Sequence, residues 1–167
     1  MRRSTLWGRR APDGIWCLVA LVGPTMASYG SEPWIVEAAH GIVASDSVHA
    51  SRAGLEILKG GGNAVDAAVA TGLALGVTRP YSTGLGGGGF MMIRFADGRV
   101  FVLDYRERAP AGATPDMYVL ARQKDPEGPP PSRYTGLSVA VPWLLAGHAA
   151  ALERFGTRGL EDVVAPA

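Results

Sequence analysis

A single cysteine, Cys17, stands among 167 residues. That excludes a disulfide within the chain and any metal site built from clustered thiolates. An excess of charge of either sign is also missing. Lys+Arg is 16 and Asp+Glu is 15, a net charge of +1, so no long-range field draws nucleic acid or an anionic membrane. Histidine is scarce: His40, His49 and His148 are the only three, and none pairs with another at metal-ligand spacing. No Gly-Lys-Ser/Thr exists to form a phosphate loop. No metal and no cofactor is expected. What is abundant is glycine (23) and proline (12), which signals many turns and close backbone approaches. Apolar residues are 47% and charged residues 19%, enough to collapse a core. The length suits one domain or part of a larger one.

The first residues read as an address. Arg2, Arg3, Arg9 and Arg10 give a basic start, residues 14–23 (GIWCLVALVG) an apolar run, and Thr25-Met26-Ala27 small residues for cleavage. This is the order of a secretory signal, so residues 1–27 are expected to be a signal peptide and the location periplasmic or secreted. The run is too short for a stable membrane span. An ordinary ragged N-terminus, or a misassigned start, is the plainer alternative.

Further along, residues 42–45 read as a short strand. Ala50, Ala53, Ile57 and Leu58 recur at helical spacing, predicting an amphipathic helix over 50–59. Gly60-Gly61-Gly62 ends it, and Asn63 then caps a second helix, 64–77, with Asp66 in its first turn. That helix is apolar nearly all round and rich in Ala and Gly, the mark of a buried helix. Residues 90–95 (FMMIRF) and 100–105 (VFVLDY) read as two strands joined through Asp97-Gly98. Their successive apolar residues predict a sheet covered on both faces. Residues 123–133 form a polar, proline-rich loop, 137–141 a further strand, and 144–155 a helix with Gly156 as its cap.

Several patterns invite chemistry. Gly84, Gly86 and Gly89 match G-x-G-x-x-G, with Asp104 twenty residues after Gly84. A dinucleotide site needs those glycines to open a helix, and a strand follows here, so nucleotide binding is not expected. Ser82 and Thr83 sit in no nucleophile elbow and read as turn residues. His148 lies beside the apolar stripe of the last long helix and reads as packed or superficial. Arg106-Glu107 ends the second strand run before Ala109-Pro110. A guanidinium at a strand end, held by a neighbouring acid, suits a bidentate grip on a carboxylate. A plain surface ion pair is the competing reading.

Read together, four segments resemble the γ-glutamyltranspeptidase (glutathione hydrolase) family: residues 41–45 (GIVAS), 53–68 (AGLEILKGGGNAVDAA), 80–90 (PYSTGLGGGGF) and 103–110 (LDYRERAP). The resemblance runs from about residue 39 to 160. It implies an α+β fold, an N-terminal-nucleophile hydrolase-like αββα sandwich, incomplete in this chain. Residues 28–167 would be the N-terminal portion of the large subunit, truncated. It implies an acyl-enzyme route that hydrolyses or transfers the γ-glutamyl group of glutathione or other γ-glutamyl compounds. The acceptor is water, an amino acid or a dipeptide. Self-cleavage of a precursor exposes a threonine that serves as nucleophile, with its own α-amine as base. That threonine would lie beyond residue 167, in a small subunit, leaving no catalytic residue in this chain and no activity for it alone.

Arg106 matches the arginine that grips the α-carboxylate of the glutamyl group, and Glu107 the adjacent acid, as orienter or structural support. Two departures stand out. Trp143 occupies a position where the family usually has glycine, which predicts a clash or a different loop. Arg108 adds a second positive charge beside Arg106. A β-lactam (glutaryl or cephalosporin) acylase on the same scaffold, and a non-catalytic secreted remnant, are the alternative functions.

Overall fold

The computed structural model describes residues 35–167, so the expected signal peptide lies outside the described residues. The chain divides into Met1–Ala38, of which only residues 35–38 are described, and a compact unit Ala39–Ala167. Within that unit the order is α1 (Val48–Lys59), α2 (Ala64–Thr78), β1 (Gly89–Arg94), β2 (Val100–Tyr105), α3 (Met117–Lys124), α4 (Pro131–Tyr134), a 3-10 turn (Gly136–Ser138), α5 (Leu144–Phe155) and α6 (Leu160–Val164). No described helix is long and apolar enough to cross a membrane.

Helix α1 starts two residues before the predicted 50, because the Ser47 hydroxyl accepts from the Ala50 amide. It ends as its glycines predict. Gly61 takes φ +84°, and the amides of Gly61 and Gly62 return to the carbonyls of Leu58 and Ile57 at 3.0 and 2.9 Å. That is a Schellman motif, and only glycine enters its left-handed position freely.

Helix α2 then begins in a capping box. The Asn63 side chain accepts from the Val65 and Asp66 amides, while Asp66 accepts from the Asn63 amide at 2.8 Å. Asp66 does more than its first-turn position predicts. It is fully buried and also accepts from the Thr157 amide at 3.0 Å, the Thr157 hydroxyl at 2.6 Å and the Arg158 amide at 3.2 Å. Burial alone raises the pKa of this carboxyl. The hydrogen bonds from Thr157, Asn63 and Arg158 outweigh that effect and hold it below its ordinary 3.8. One carboxylate thus ties the start of α2 to the segment leaving α5. Gly156 is needed there because a Cβ would stand 2.7 Å from an Asp66 carboxylate oxygen. Its φ is −77°, so close approach, not a left-handed cap, requires glycine.

The two strands pair antiparallel, with Met91 opposite Leu103 and Met92 opposite Val102. Gly98, at φ +89°, closes the hairpin. Burial alternates along both strands. Met91, Ile93 and Leu103 pack on the core formed by Ile57, Val65, Val69, Ala70, Ala151, Leu152 and Val163. Phe101 packs with Phe95 and Phe155 at centroid distances of 5.7 and 5.2 Å. Phe90, Met92, Val100 and Val102 lie on the other face and are exposed. The expected two-faced cover is therefore corrected: among the described residues one face is covered. The apolar run hid the alternation because both faces are apolar.

Three further expectations change. Residues 42–45 form no strand. Residues 137–141 give the 3-10 turn and one bridge, Val141 to Arg108. The proline-rich loop contains the end of α3 and a helical turn started by Pro131, whose missing N–H costs nothing at a first helical position.

Candidate functional site

Strand β2 ends at Tyr105, which is buried, and the chain then turns out as Arg106-Glu107. The glycine run makes that exit possible. A Cβ on Gly88 would stand 2.8 Å from the Glu107 nitrogen and 3.0 Å from the Arg106 carbonyl carbon, closer than backbone atoms tolerate. Gly147 of α5 serves the same end, since a Cβ there would enter the Tyr105 ring. Gly87 is tied to α5 as well: its carbonyl accepts from the Trp143 and Leu144 amides at 3.0 and 2.9 Å. Two orphan donors of the helix start are thereby satisfied, and the glycine run is locked against the residues that precede α5.

Around this crossing lies a cleft of about 790 Å³. It is lined by Gly86 and Arg106-Glu107-Arg108, by Met117 and Tyr118 of α3, and by residues 137–140, among others. The Tyr118 hydroxyl donates to the Leu137 carbonyl at 3.2 Å, closing the far side.

The Arg106 side chain is 62% exposed, and its Nε lies 3.4 Å from Glu107 Oε2. Glu107 is more buried, and that oxygen accepts no hydrogen bond. The pair is a charge contact, not a bidentate clasp. The guanidinium therefore keeps its N–H groups for the cleft: among the described residues none is donated to a protein oxygen. An arginine so placed can take a carboxylate in its planar fork.

Arg108 lines the same cleft. Its amide and carbonyl exchange hydrogen bonds with Val141 at 3.2 and 2.8 Å. Its guanidinium carbon stands 5.0 Å over the Trp143 ring. Of the clash or different loop expected at Trp143, no clash forms among the described residues. The residue takes φ −128°, which any side chain adopts, and its ring lies at the surface under Arg108. Neither composition nor spacing pointed to this stack, because residues 108 and 143 meet only through the Val141 bridge.

The remaining candidates fall away from the cleft. Ser82 and Thr83 donate their amides to the Arg79 carbonyl in a turn. His40 and His49 are exposed. Of the two readings left open for His148, the structure shows the packed one, with the Tyr105 ring edge-on at 5.7 Å, and burial holds its pKa below 6.5. Among the described residues no three His, Cys, Asp or Glu side chains gather as metal ligands.

Comparison with known proteins adds a second line of evidence. The family model for gamma-glutamyltranspeptidase matches residues 50–167. The chain is 45% identical over 159 residues to the glutathione hydrolase proenzyme of Escherichia coli (strain K12), covering 90% of this chain and 27% of that protein. Its fold is similar to the crystal structure of Helicobacter pylori gamma-glutamyltranspeptidase (TM-score 0.72, 41% identity, 80% of this chain and 38% of that one). It is also similar to cephalosporin acylase from Bacillus halodurans (TM-score 0.70, 34% identity, 87% and 26%). The chain thus spans little more than a quarter of the curated relative's length.

Proposed function

Because the chain belongs to the gamma-glutamyltranspeptidase family, we propose that it supplies part of the substrate wall of an exported enzyme that cleaves γ-glutamyl amides. Arg106 grips the α-carboxylate of the glutamyl group, and Glu107 orients the guanidinium. The observation that carries this reading is the Arg106 side chain, set in a cleft against the glycine run with its N–H groups unspent.

A threonine outside these 167 residues, in the small-subunit partner, attacks the γ-carbonyl carbon. Its hydroxyl proton passes through its own α-amine to the leaving amine as the C–N bond breaks. Water or an amino acid then takes the glutamyl group from the ester. Residues 28–167 would be the N-terminal portion of the large subunit. The exposed apolar face of the hairpin supports a second sheet above it, completing an αββα sandwich.

Calorimetry with glutathione tests the grip. We expect binding by the 167-residue chain and its loss in Arg106→Ala; equal affinity in both would refute the assignment. Turnover of a γ-glutamyl anilide by this chain alone would refute the placement of the nucleophile elsewhere. The similarity to a cephalosporin acylase favours one second reading, in which the same cation holds a glutaryl carboxylate. A preference for glutaryl over γ-glutamyl amides would select it.

A further inference from the structure

We propose that Arg108 is a second ligand-binding cation of the Arg106 cleft, and that the site prefers γ-glutamyl compounds carrying another carboxylate remote from the first. This rests on the reading of Arg106 as the α-carboxylate grip. Three observations lead to it.

First, Arg106 and Arg108 line one cleft, and of the two only Arg106 is ion-paired; the ion pairs among the described residues join Arg79 to Asp46, Arg99 to Asp97 and Arg106 to Glu107. Among the described residues no acid pairs with Arg108, so it brings a second positive charge to the cleft. Second, the group is held in place. Its backbone is clamped by both hydrogen bonds to Val141, and its guanidinium lies over the Trp143 ring at 5.0 Å. Trp143 in turn is fixed by its amide on the Gly87 carbonyl. The cation contacts the face of the ring, and among the described residues its guanidinium donates to no protein oxygen, so the platform holds it without consuming its donors. Third, a cleft of about 790 Å³ is in the range that encloses a whole small ligand. A glutamyl head on Arg106 leaves room for the remainder of a tripeptide to reach Arg108.

The test is calorimetry of the 167-residue chain with glutathione, which has two carboxylates, and with γ-glutamylmethylamide, which has one. Wild type should bind glutathione about tenfold more tightly, the worth of one charge-assisted pair in a half-open site. Arg108→Gln should erase that preference and leave the methylamide affinity unchanged. A preference that survives Arg108→Gln, or an equal fall for both ligands, overturns the proposal. If Arg108→Gln fails to fold, salt titration of wild type decides. Added NaCl must weaken glutathione more than the methylamide, and parallel slopes overturn the proposal. The two readings separate through Arg106→Ala. If it changes neither affinity while Arg108→Gln removes the preference, the α-carboxylate assignment fails and the second cation stands. If wild type binds neither ligand, both fail.

Discussion

Replacing Asp66 by asparagine should unfold more of this protein than any surface change, and the cost can be worked from its partners. The carboxylate is fully buried and receives donors from the Asn63 amide, the Thr157 amide and hydroxyl, and the Arg158 amide. Asparagine has one acceptor oxygen, and its NH2 would face donors. At least two of these part-buried bonds are lost, and a hydrogen bond to a charged group is worth about 1.5–3 kcal/mol. The expected loss is about 3–5 kcal/mol, against a typical total of roughly 5–15 kcal/mol. Urea unfolding followed by far-UV circular dichroism measures it.

The pH dependence is a second readout. The folded pKa is depressed, so the stabilisation is complete above 3.8 and is lost as pH falls from there through the folded value. The gap between wild type and Asp66→Asn must therefore narrow in acid. A cost under about 1 kcal/mol, or a gap that widens on acidification, refutes the latch. Thr157→Val, combined with Asp66→Asn, should show a coupling of about 1–2 kcal/mol, because the two residues share one bond.

Two further outcomes are expected. Burial depresses the His148 pKa below 6.5, so the unfolded chain takes up a proton that the folded chain resists; stability should decline as pH falls below 6.5, and His148→Leu should flatten that slope in a urea series run across pH. Gly88→Ala sets a methyl against the backbone of Arg106 and Glu107 and should cost about 2–3 kcal/mol, while Gly86→Ala, with no atom within 4 Å of the new Cβ, should be neutral by the same measurement.

Local rules made much of this fold legible. The Gly60-Gly61-Gly62 stop, the Asn63 cap and the Asp97-Gly98 turn each depend on a few neighbouring residues, and each forms where those residues stand. Helix α5 followed from the spacing of Leu144, His148, Ala151, Leu152 and Phe155 for the same reason. Residues 42–45 and 137–141 failed as strands because β structure needs a partner, and apolar composition does not supply one. Among the described residues the hairpin is covered on one face only. Phe90 and Met92 are as apolar as Met91 and Ile93, so nothing within the strand distinguishes its faces.

The candidate site divides along the same line. Arg106 and Glu107 could be named from a strand end and a family motif. The partners of the glycine run could not be named. That Gly88 yields to the backbone of residues 106 and 107, that Gly87 anchors the start of α5, and that Trp143 becomes a platform for Arg108 are contacts between segments far apart in the chain. By itself, then, the order of residues determined the caps, the turns, the helices and the place of Arg106 at a strand end, because each depends on bonding within a few residues. Only tertiary packing decided which face of the hairpin is covered, why Asp66 is buried, and that two arginines share one cleft, because those depend on where distant segments come to rest.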